Sequence, residues 1–488
     1  MTEVRSSLRF ILNDEDVVLD TLPATRTLLD FLRLTKRLKG SKEGCAEGDC
    51  GACTVLVGRL DEDELTYESV NACIAFVGSL DAAHVVTIEH LSAANGPLHP
   101  VQQAMVDHHG SQCGFCTPGI VMSLYGLWME QPSPSTYAVE KALQGNLCRC
   151  TGYAPIIKAA KAVSSYGAMA ADPLVPERAG IKARLGALRD GKRVDIGEGK
   201  DRIIVPASAD DLAEVYAAYP TATLVSGATD VGLWVTKFMR DIGPMIFIGE
   251  VPELHRIEEF GGELKLGAAV TYTEATRAIT DHFPQLAELW DRIGGEQVRN
   301  MGTIGANIAN GSPIGDTPPP LIALGARITL RKGDECREVK LKDYFIAYGK
   351  QDRQPGEFVE SVSIPLLPQG EQFACYKITK RKDEDISALC GAFRVFVNDA
   401  GHVGMVRIAF GGMAATPKRA AAVEAALVGK PWTVATIEAA IPAFGVDFQP
   451  LSDMRASAEY RLLAAQNLLR RFFLETTGAG QRLKREVA

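Results

Sequence analysis

The sequence lacks any uninterrupted apolar run of the ~18 residues that a membrane-spanning helix requires. Its opening stretch, MTEVRSSLRFILNDEDVVLD, places acids among the apolar residues, so it also lacks the apolar core of a signal peptide. The formal net charge is -8, and the basic residues are not gathered into the face that nucleic-acid-binding proteins use. We therefore expect a cytoplasmic protein that binds neither membrane nor nucleic acid.

Two further absences narrow the domain content. The 488 residues contain no internal repeat and no low-complexity tract, and this length predicts roughly three or four domains. No strand-like segment runs into the G-x-G-x-x-G fingerprint of a Rossmann dinucleotide site. A Rossmann domain is therefore not supported, and other glycine-containing turns become the candidates for cofactor binding.

Cysteines are unevenly distributed. Of the 11 cysteines, eight lie between Cys45 and Cys150, and only Cys336, Cys375 and Cys390 lie beyond. In a chain expected to occupy a reducing compartment, dense cysteines indicate metal ligands before disulfides. The first third of the chain is therefore where metal sites are expected.

The first cysteine set follows the C-x4-C-x2-C…C spacing of plant-type 2Fe–2S ferredoxins. Its members are Cys45, Cys50, Cys53 and Cys73. A loop that wraps closely around a cluster must direct backbone N–H groups at the sulfurs, which favours residues without a Cβ. Three glycines lie in or beside this loop: Gly44, Gly48 and Gly51. The pattern favours an iron–sulfur cluster over a zinc site or buried thiols.

The second cysteine set consists of two close pairs, Cys113-GF-Cys116 and Cys148-R-Cys150, separated by two predicted helices. Four thiolates again suffice for one cluster, but zinc also uses C-x2-C pairs. The tight C-x-C pair disfavours tetrahedral zinc, yet the residues alone leave both metals open. His108 and His109 lie nearby in sequence, and we interpret them as surface or interface residues.

Three strings, GCAEGDCGACTV, QCGFCTPG and NLCRCTGY, occur in this order within residues 7–160. Together they resemble the two-cluster module of the xanthine dehydrogenase and aldehyde oxidase family of molybdenum hydroxylases. The resemblance implies that Cys113, Cys116, Cys148 and Cys150 hold a second 2Fe–2S cluster. It also implies that Gln112 and the Cys150 loop face a pterin-bound molybdenum cofactor in a partner subunit.

The same resemblance implies an α+β multidomain fold. Its expected parts are a plant-type ferredoxin β-grasp domain (1–91), a four-helix 2Fe–2S domain (92–165), a linker (166–195), an α/β FAD-binding domain resembling that of vanillyl-alcohol oxidase (196–371) and a C-terminal α+β domain (372–488). The residue patterns agree with this order, since strand-like alternation gives way to helical periodicity near residue 92. Pro173 and Pro176, amid mixed charge, predict the linker or a partly ordered connection.

Two glycine-containing turns are the candidates for a flavin site, LVSGATDV at 224–231 and MGTIGANIANGSPIGD at 301–316. Exposed backbone N–H groups and hydroxyls in such turns can receive a pyrophosphate, although the two segments by themselves favour plain structural turns over a cofactor site. The family resemblance implies FAD instead. It places pyrophosphate contacts at Leu224, Val225, Ser226, Gly227, Ala228, Thr229, Asp230 and Val231, and further FAD contacts at Ile293, Thr303, Ile304, Gly305, Ala306, Asn307, Asp316, Val359 and Lys377.

Two of these positions depart from the family pattern. Ala306 stands where the family often has glycine, and Ile293 stands where it has an aromatic residue near the flavin. The charged stretch at 380–385, RKDED after Lys380, resembles the family loop beside the flavin, whereas a charge run is otherwise a solvated face. Tyr348 and Glu384 are the candidates for contacting NAD+.

The resemblance implies an electron relay. Electrons from a molybdenum site in a large partner subunit would pass through two 2Fe–2S clusters to FAD and then to NAD+. A chain that carries clusters first and flavin second, without the molybdenum domain, resembles the small subunits of bacterial xanthine dehydrogenases. That resemblance implies oxidation of hypoxanthine to xanthine to urate and a heterotetramer of two small and two large subunits. No catalytic residue for purine hydroxylation is assigned to this chain.

Two other functions stay open. The chain could serve another molybdenum hydroxylase, which acts on aldehydes or N-heterocycles. It could also be a non-catalytic electron carrier or assembly scaffold.

Overall fold

The computed structural model describes residues 2–61, 64–92 and 96–480. They form an α+β protein whose chain divides into two compact units. The first unit is Met1–Val251 with Gly294–Gly302, and the second is Pro252–Ile293 with Thr303–Ala488. The segment 294–302 therefore belongs to the first unit, although the residues on both sides of it in sequence belong to the second.

A five-stranded mixed sheet opens the first unit. Its spatial order is Glu15–Leu19, Leu8–Leu12, His84–Val86, Thr54–Asp61 and Glu64–Asn71. The alternating apolar residues of 7–20 form a hairpin, with Leu8 opposite Leu19. A short helix, Leu28–Asp30, begins after Thr27, whose side chain accepts a hydrogen bond from the Asp30 N–H. It continues as the π-helical turn Phe31–Thr35 and packs its leucines on the sheet.

Four helices follow: Pro100–Asp107, Thr117–Glu130, Thr136–Ala142 and Ala154–Ala162. The second begins directly after Cys116, with Pro118 in its first turn, where proline is favoured. Their apolar faces share a core with the first sheet, in which Tyr125 and Trp128 are almost fully buried.

The segment predicted as a linker, 166–195, is not a loose connection. It contains the helix Leu174–Leu188, which buries Leu174 and Leu185 against the same core. The carboxylate of Asp172 anchors the start of this helix, since it is 2.7 Å from His99 Nε2 and accepts a hydrogen bond from Tyr125. The prolines misled the prediction because they lie at the beginning of the helix, where the absence of an N–H donor costs little.

A second five-stranded sheet completes the first unit. Its spatial order is Val4–Arg5, Arg193–Ile196, Ile203–Val205, Met245–Phe247 and Thr223–Val225. The last three strands are mutually parallel, and the helices Ala209–Ala218, Val231–Thr236 and Glu296–Met301 accompany them. Phe247 of this sheet meets Phe76, which lies in the chain between the strands Glu64–Asn71 and His84–Val86 of the first sheet, with ring centroids 6.3 Å apart. One apolar core thus joins the two sheets.

The second unit begins with an antiparallel sheet. Its spatial order is Ile257–Phe260, Glu263–Gly267, Phe358–Pro365, Arg327–Lys332 and Glu335–Lys340. The helices beside it are Tyr272–His282, Ala287–Trp290, Ile304–Asn310, Pro318–Leu324 and Leu341–Tyr344, and a small two-stranded sheet, Phe345–Ala347 with Lys350–Gln351, follows. Trp290 and Phe283 fill the core between sheet and helices.

An antiparallel sheet and a helical cluster end the described chain. The strands are Glu371–Ile378, Leu389–Val397, Val403–Gly411 and Lys418–Arg419. The helices are Ala421–Leu427, Val434–Ala440, Phe444–Asp447 and Ala458–Thr476. Phe393 stacks on Phe472 at 5.4 Å, which ties the sheet to the longest helix.

Candidate metal and cofactor sites

The structure brings the first cysteine set together. The thiol of Cys45 lies beside those of Cys50 and Cys73, and Cys73 in turn lies beside Cys53. Cys53 and Cys73 are buried, whereas Cys45 and Cys50 are half-buried. Four sulfurs, separated by up to 28 positions in sequence, thus converge on one point at the edge of the first sheet.

The loop that carries Cys45 directs backbone N–H groups at the Cys45 sulfur. The N–H groups of Glu47 and Asp49 approach Cys45 Sγ at 3.5 and 3.4 Å, and such donors stabilise a thiolate. Gly48 and Gly51 adopt φ values of 79° and 67°, a left-handed conformation that favours glycine. The predicted need for glycine in this loop therefore has a conformational basis at both positions.

Within the first set, the pKa values of neighbouring thiols are shifted in opposite directions. Donation from Cys50 and Cys73 lowers the pKa of the Cys45 thiol far below its usual range. Acceptance of those bonds by Cys45, together with burial, raises the pKa values of Cys50 and Cys73 far above theirs. Cys45, Cys50 and Cys73 can ionise together only if a cation compensates their charge, which an iron–sulfur cluster would supply.

The second cysteine set is gathered in the same way. The thiol of Cys113 interacts with Cys150, and that of Cys116 interacts with Cys148. Cys113 and Cys150 are exposed, whereas Cys148 is buried. Burial raises the pKa of Cys116 to about 12, with the thiol of Cys148 adding to the effect. The set thus has one buried side and one side open to solvent.

The two sets are joined by the main chain. Leu147, between the second set and its preceding helix, donates its N–H to the carbonyl of Cys50 at 3.0 Å. Its neighbour Asn146 donates its side-chain amide to Gly51 O at 3.2 Å. A Cβ on Gly51 would lie 2.2 Å from the carbonyl oxygen of Gly145. Gly51 therefore also permits the close approach of the two cysteine loops.

A buried glutamine that sequence reasoning missed supports this junction. Gln297 is fully buried and donates its amide to Asn146 Oδ1 at 2.9 Å, with Ser123 Oγ and Thr54 Oγ1 within 3.3 Å. A Cβ on Gly145 would lie 1.9 Å from Gln297 Oε1. Gln297 lies on the helix Glu296–Met301, more than 140 positions from either cysteine set. No local pattern in the sequence could have connected it with them.

The candidate pyrophosphate turn, 224–231, lies in the first unit. It follows the strand Thr223–Val225 at the carboxyl end of the parallel strands, where α/β sheets bind ligands. Ala228 adopts φ 58°, and a Cβ on Gly227 would lie 1.4 Å from Met301 O. Gly227 is therefore required by the packing of the turn, independently of any ligand.

The other candidate flavin residues lie in the second unit. Thr303 caps the helix Ile304–Asn310 by accepting from the Ala306 N–H, and a Cβ on Gly305 would lie 2.5 Å from Ala268 Cα. Asn307 Oδ1 accepts a hydrogen bond from Thr317 at 2.6 Å. This turn is built tightly, and its polar side chains are fixed by their neighbours.

Lys377 and Asp316 form a buried ion pair at 2.5 Å. The ammonium group also donates to Arg292 O at 3.0 Å, and the carboxylate accepts from Ser387 Oγ at 2.5 Å. Since an ammonium group has three donors, one remains for a ligand. Arg292 and Ser387 were not recognised from the sequence because they lie 85 and 71 positions from the residues that they contact here.

The remaining candidates differ in exposure. Ile293 and Val359 are buried in the core of the second unit. Tyr348 is 76% exposed, whereas Glu384 is 9% exposed and adopts φ 49°. In the charged stretch 380–385, Arg381 pairs with Asp385 at 3.3 Å. That stretch is thus a folded loop rather than a row of independent solvated charges.

Four family models match the chain in succession. They are described as 2Fe-2S iron-sulfur cluster binding domain (residues 10–78), 2Fe-2S binding domain (87–161), FAD binding domain in molybdopterin dehydrogenase (198–367) and CO dehydrogenase flavoprotein C-terminal domain (374–476). The chain is accordingly an iron–sulfur and flavin chain of the molybdenum hydroxylase family.

Among curated proteins, the chain is similar to xanthine dehydrogenases. It is 32% identical to that of Emericella nidulans over 96% of this chain and 38% of the relative. It is 30% identical to the xanthine dehydrogenase/oxidase of Rattus norvegicus over 96% of this chain and 39% of the relative. The chain thus spans about two fifths of the length of these relatives.

Solved structures with the same fold cover a little over half of the chain. Carbon monoxide dehydrogenase from Hydrogenophaga pseudoflava matches with a TM-score of 0.52 and 28% identity, over 55% of this chain and 93% of its own. Quinoline 2-oxidoreductase from Pseudomonas putida 86 matches with a TM-score of 0.51 and 26% identity, over 56% of this chain and 96% of its own. Within the described part of the chain, no helix combines the length and apolarity needed to cross a membrane.

Proposed function

We propose that the chain is the iron–sulfur/FAD subunit of a xanthine dehydrogenase. Bound to a molybdopterin-containing large subunit, it would carry electrons from the oxidation of hypoxanthine and xanthine through two 2Fe–2S clusters and FAD to NAD+. The proposed assembly is a cytoplasmic heterotetramer of two small and two large subunits. The observation that carries the proposal is the similarity to xanthine dehydrogenases across both cysteine sets and the flavin segments.

The proposed ligands follow from the two gathered sets. Cys45, Cys50, Cys53 and Cys73 would hold one cluster, and Cys113, Cys116, Cys148 and Cys150 would hold the other. The exposed side of the second set suits an electron donor outside this chain, whereas the first set is more deeply enclosed. We therefore assign the second set to the molybdenum side of the relay.

The chain's own residues would hold the flavin. Residues 224–231 would contact the pyrophosphate, while Thr303, Ile304, Gly305, Ala306, Asn307 and Asp316 would contact the rest of FAD, with Ile293, Val359 and Lys377. The one unused donor of Lys377 supports a hydrogen bond to a flavin acceptor. Tyr348 and Glu384 are proposed to contact NAD+, and the high exposure of Tyr348 suits a ligand that comes and goes.

A second candidate is the equivalent subunit of a molybdenum hydroxylase that acts on N-heterocycles or aldehydes. The fold likeness to quinoline 2-oxidoreductase favours it. The difference between the two candidates lies in the substrate alone, because the cluster and flavin sites would be the same.

The test is purification of the chain with its molybdenum partner. We expect about four iron atoms per chain from two 2Fe–2S centres, one flavin, and NADH formation that depends on xanthine. Quinoline and benzaldehyde in place of xanthine distinguish the second candidate. About two iron atoms with zinc would contradict the two-cluster assignment, and reduction by xanthine that never reaches NAD+ would contradict the proposed acceptor.

A further inference from the structure

The helix Val231–Thr236, which we call the strut helix, lies between a candidate flavin segment and the first cysteine set. It begins at the last residue of the candidate pyrophosphate turn, 224–231. The amide of Gly232 donates to Ala228 O at 2.7 Å, so the turn and the helix form one hydrogen-bonded piece. Any displacement of this helix therefore moves the turn with it.

The first turn of the strut helix is pressed against the residue that follows Cys73. A Cβ on Gly232 would lie 2.8 Å from Ile74 Cβ, 2.9 Å from Ile74 O and 3.1 Å from Ile74 Cα. Two of these atoms belong to the backbone and cannot rotate away. The absence of a side chain at Gly232 thus sets how closely the helix approaches the Cys73 segment.

The last turn of the strut helix is fixed to the other end of the first cysteine set. Thr236 Oγ1 donates to Ala46 O at 2.6 Å and also lies 3.1 Å from Gly232 O. Ala46 follows Cys45 and adopts φ 54°. The neighbouring Lys237 lies 3.6 Å from Glu47, whose N–H faces Cys45 Sγ. The helix is thus attached close to two of the four sulfurs.

We infer that the strut helix sets the distance and orientation between the first cluster and FAD, with Gly232 and Thr236 as positioning residues for electron transfer between them. The inference rests on the proposed function. Neither residue touches a reacting atom; both act by holding the Cys45 loop and the Cys73 segment against the pyrophosphate turn. Since transfer between bound groups depends steeply on their placement, a small shift of the helix changes the rate without removing a cofactor.

Two substitutions test the helix at its two ends. Gly232→Ala adds the Cβ that meets Ile74, although alanine is the better helix former. Its control is Gly186→Ala on the helix Leu174–Leu188, where a Cβ meets nothing within 4 Å. Thr236→Val removes the hydroxyl and keeps the shape, and Thr236→Ser restores the hydroxyl.

The measurement is independent of xanthine and of NAD+. In the purified complex, a pulse of light with a deazaflavin photoreductant delivers single electrons, and absorbance follows their equilibration between flavin and iron–sulfur centres. We expect Gly232→Ala and Thr236→Val to slow this equilibration about tenfold, with unchanged iron and flavin content, while Gly186→Ala and Thr236→Ser keep the original rate. Hydrogen exchange at the amides of Glu47 and Asp49 should accelerate in Thr236→Val only.

The outcomes separate the inference from the proposed function. An unaltered complex that lacks flavin or clusters would refute the proposed function itself. Equal rates in the unaltered complex, Gly232→Ala and Thr236→Val would overturn the inference alone. Loss of iron from Thr236→Val would also overturn it, because the hydroxyl would then be needed to build the cluster site rather than to position it.

Discussion

Asp172 shows how a single buried carboxylate orders a segment that its sequence presents as a connection. It is 4% exposed, lies 2.7 Å from His99 Nε2 and accepts hydrogen bonds from Tyr125 and from the Leu174 N–H. Burial by itself raises the pKa of this group, but the bonds from its partners outweigh burial and lower it. The ionised form is therefore the one that the fold stabilises.

We predict that stability depends on the ionisation of Asp172. Because its folded pKa lies below the ordinary value of about 3.9, its contribution is present above about pH 5 and is lost as the pH falls through the folded pKa. Asp172→Asn should lower the free energy of unfolding of the first unit by about 3 kcal/mol at neutral pH, as measured by urea titration, and should weaken the acid dependence. Asp241→Asn, which removes an exposed ion pair with Lys200, should cost less than about 1 kcal/mol. An equal cost for the two variants would refute the role of Asp172.

At the scale of elements, the helix Leu174–Leu188 illustrates long-range packing. Leu174, Ile181 and Leu185 lie on one face and are buried with the first sheet and the cysteine-bearing helices. Arg178 and Arg189 donate to the carbonyls of Leu65 and Leu60 on that sheet. The helix thus covers the far end of the strands whose other end leads to the first cysteine set.

Truncation of this helix's buried face should be costly. We predict that Leu185→Ala lowers the free energy of unfolding by about 3 kcal/mol, since it leaves a cavity at a fully buried position. The matched change Leu463→Ala, at a helical leucine that is 55% exposed, should cost less than about 0.5 kcal/mol. Urea titrations of both variants decide the point. A cost for Leu185→Ala as small as that for Leu463→Ala would show that the helix is not part of the cooperative core.

The helix Glu296–Met301 is a second element that is held in place by long-range contacts. Besides Gln297, its Asn300 donates to Ser69 O at 2.9 Å, on the strand that leads toward Cys73. In sequence, this helix separates the candidate flavin residues Ile293 and Thr303. The helix thus lies in the chain between two candidate flavin residues, while its buried polar side chains contact residues next to both cysteine sets.

For the whole molecule, the arrangement of the two sets predicts that their clusters are lost separately. Cys150 is exposed at the open side of the second set, whereas the first set is held by its own loop. Cys150→Ala should reduce the iron from about four to about two atoms per chain and leave the flavin content unchanged. Iron analysis and electron paramagnetic resonance of the reduced protein measure this directly.

The control for that experiment is Cys336→Ala. Cys336 is exposed on the strand Glu335–Lys340 of the second unit and belongs to neither set. Its removal should leave about four iron atoms per chain. Loss of all iron from Cys150→Ala would mean that the two sets do not hold independent clusters.

Local sequence patterns were sufficient to identify features that depend on residues close to one another in the chain. The hairpin at 7–20, the helix that opens after Cys116, and the glycines at positive φ in the first loop all follow from spacing and backbone preference. The prediction failed at 166–195, because prolines at a helix start resemble those of a linker. The sequence patterns also did not reveal the two compact units, because that division depends on which surfaces are buried together.

What the sequence by itself determined is the inventory of candidate ligands: eight cysteines in two spaced groups, with glycines where a loop must turn tightly. These features depend only on spacing along the chain, so they can be recognised without knowledge of the fold. Only the tertiary structure decided that Leu147 would meet Cys50, that Gln297 would lie beneath both loops, and that the strut helix would join Ala46 and Ile74 to the candidate pyrophosphate turn. Those contacts span tens to hundreds of positions, and they form because apolar burial brings distant elements together and the polar groups buried with them require partners.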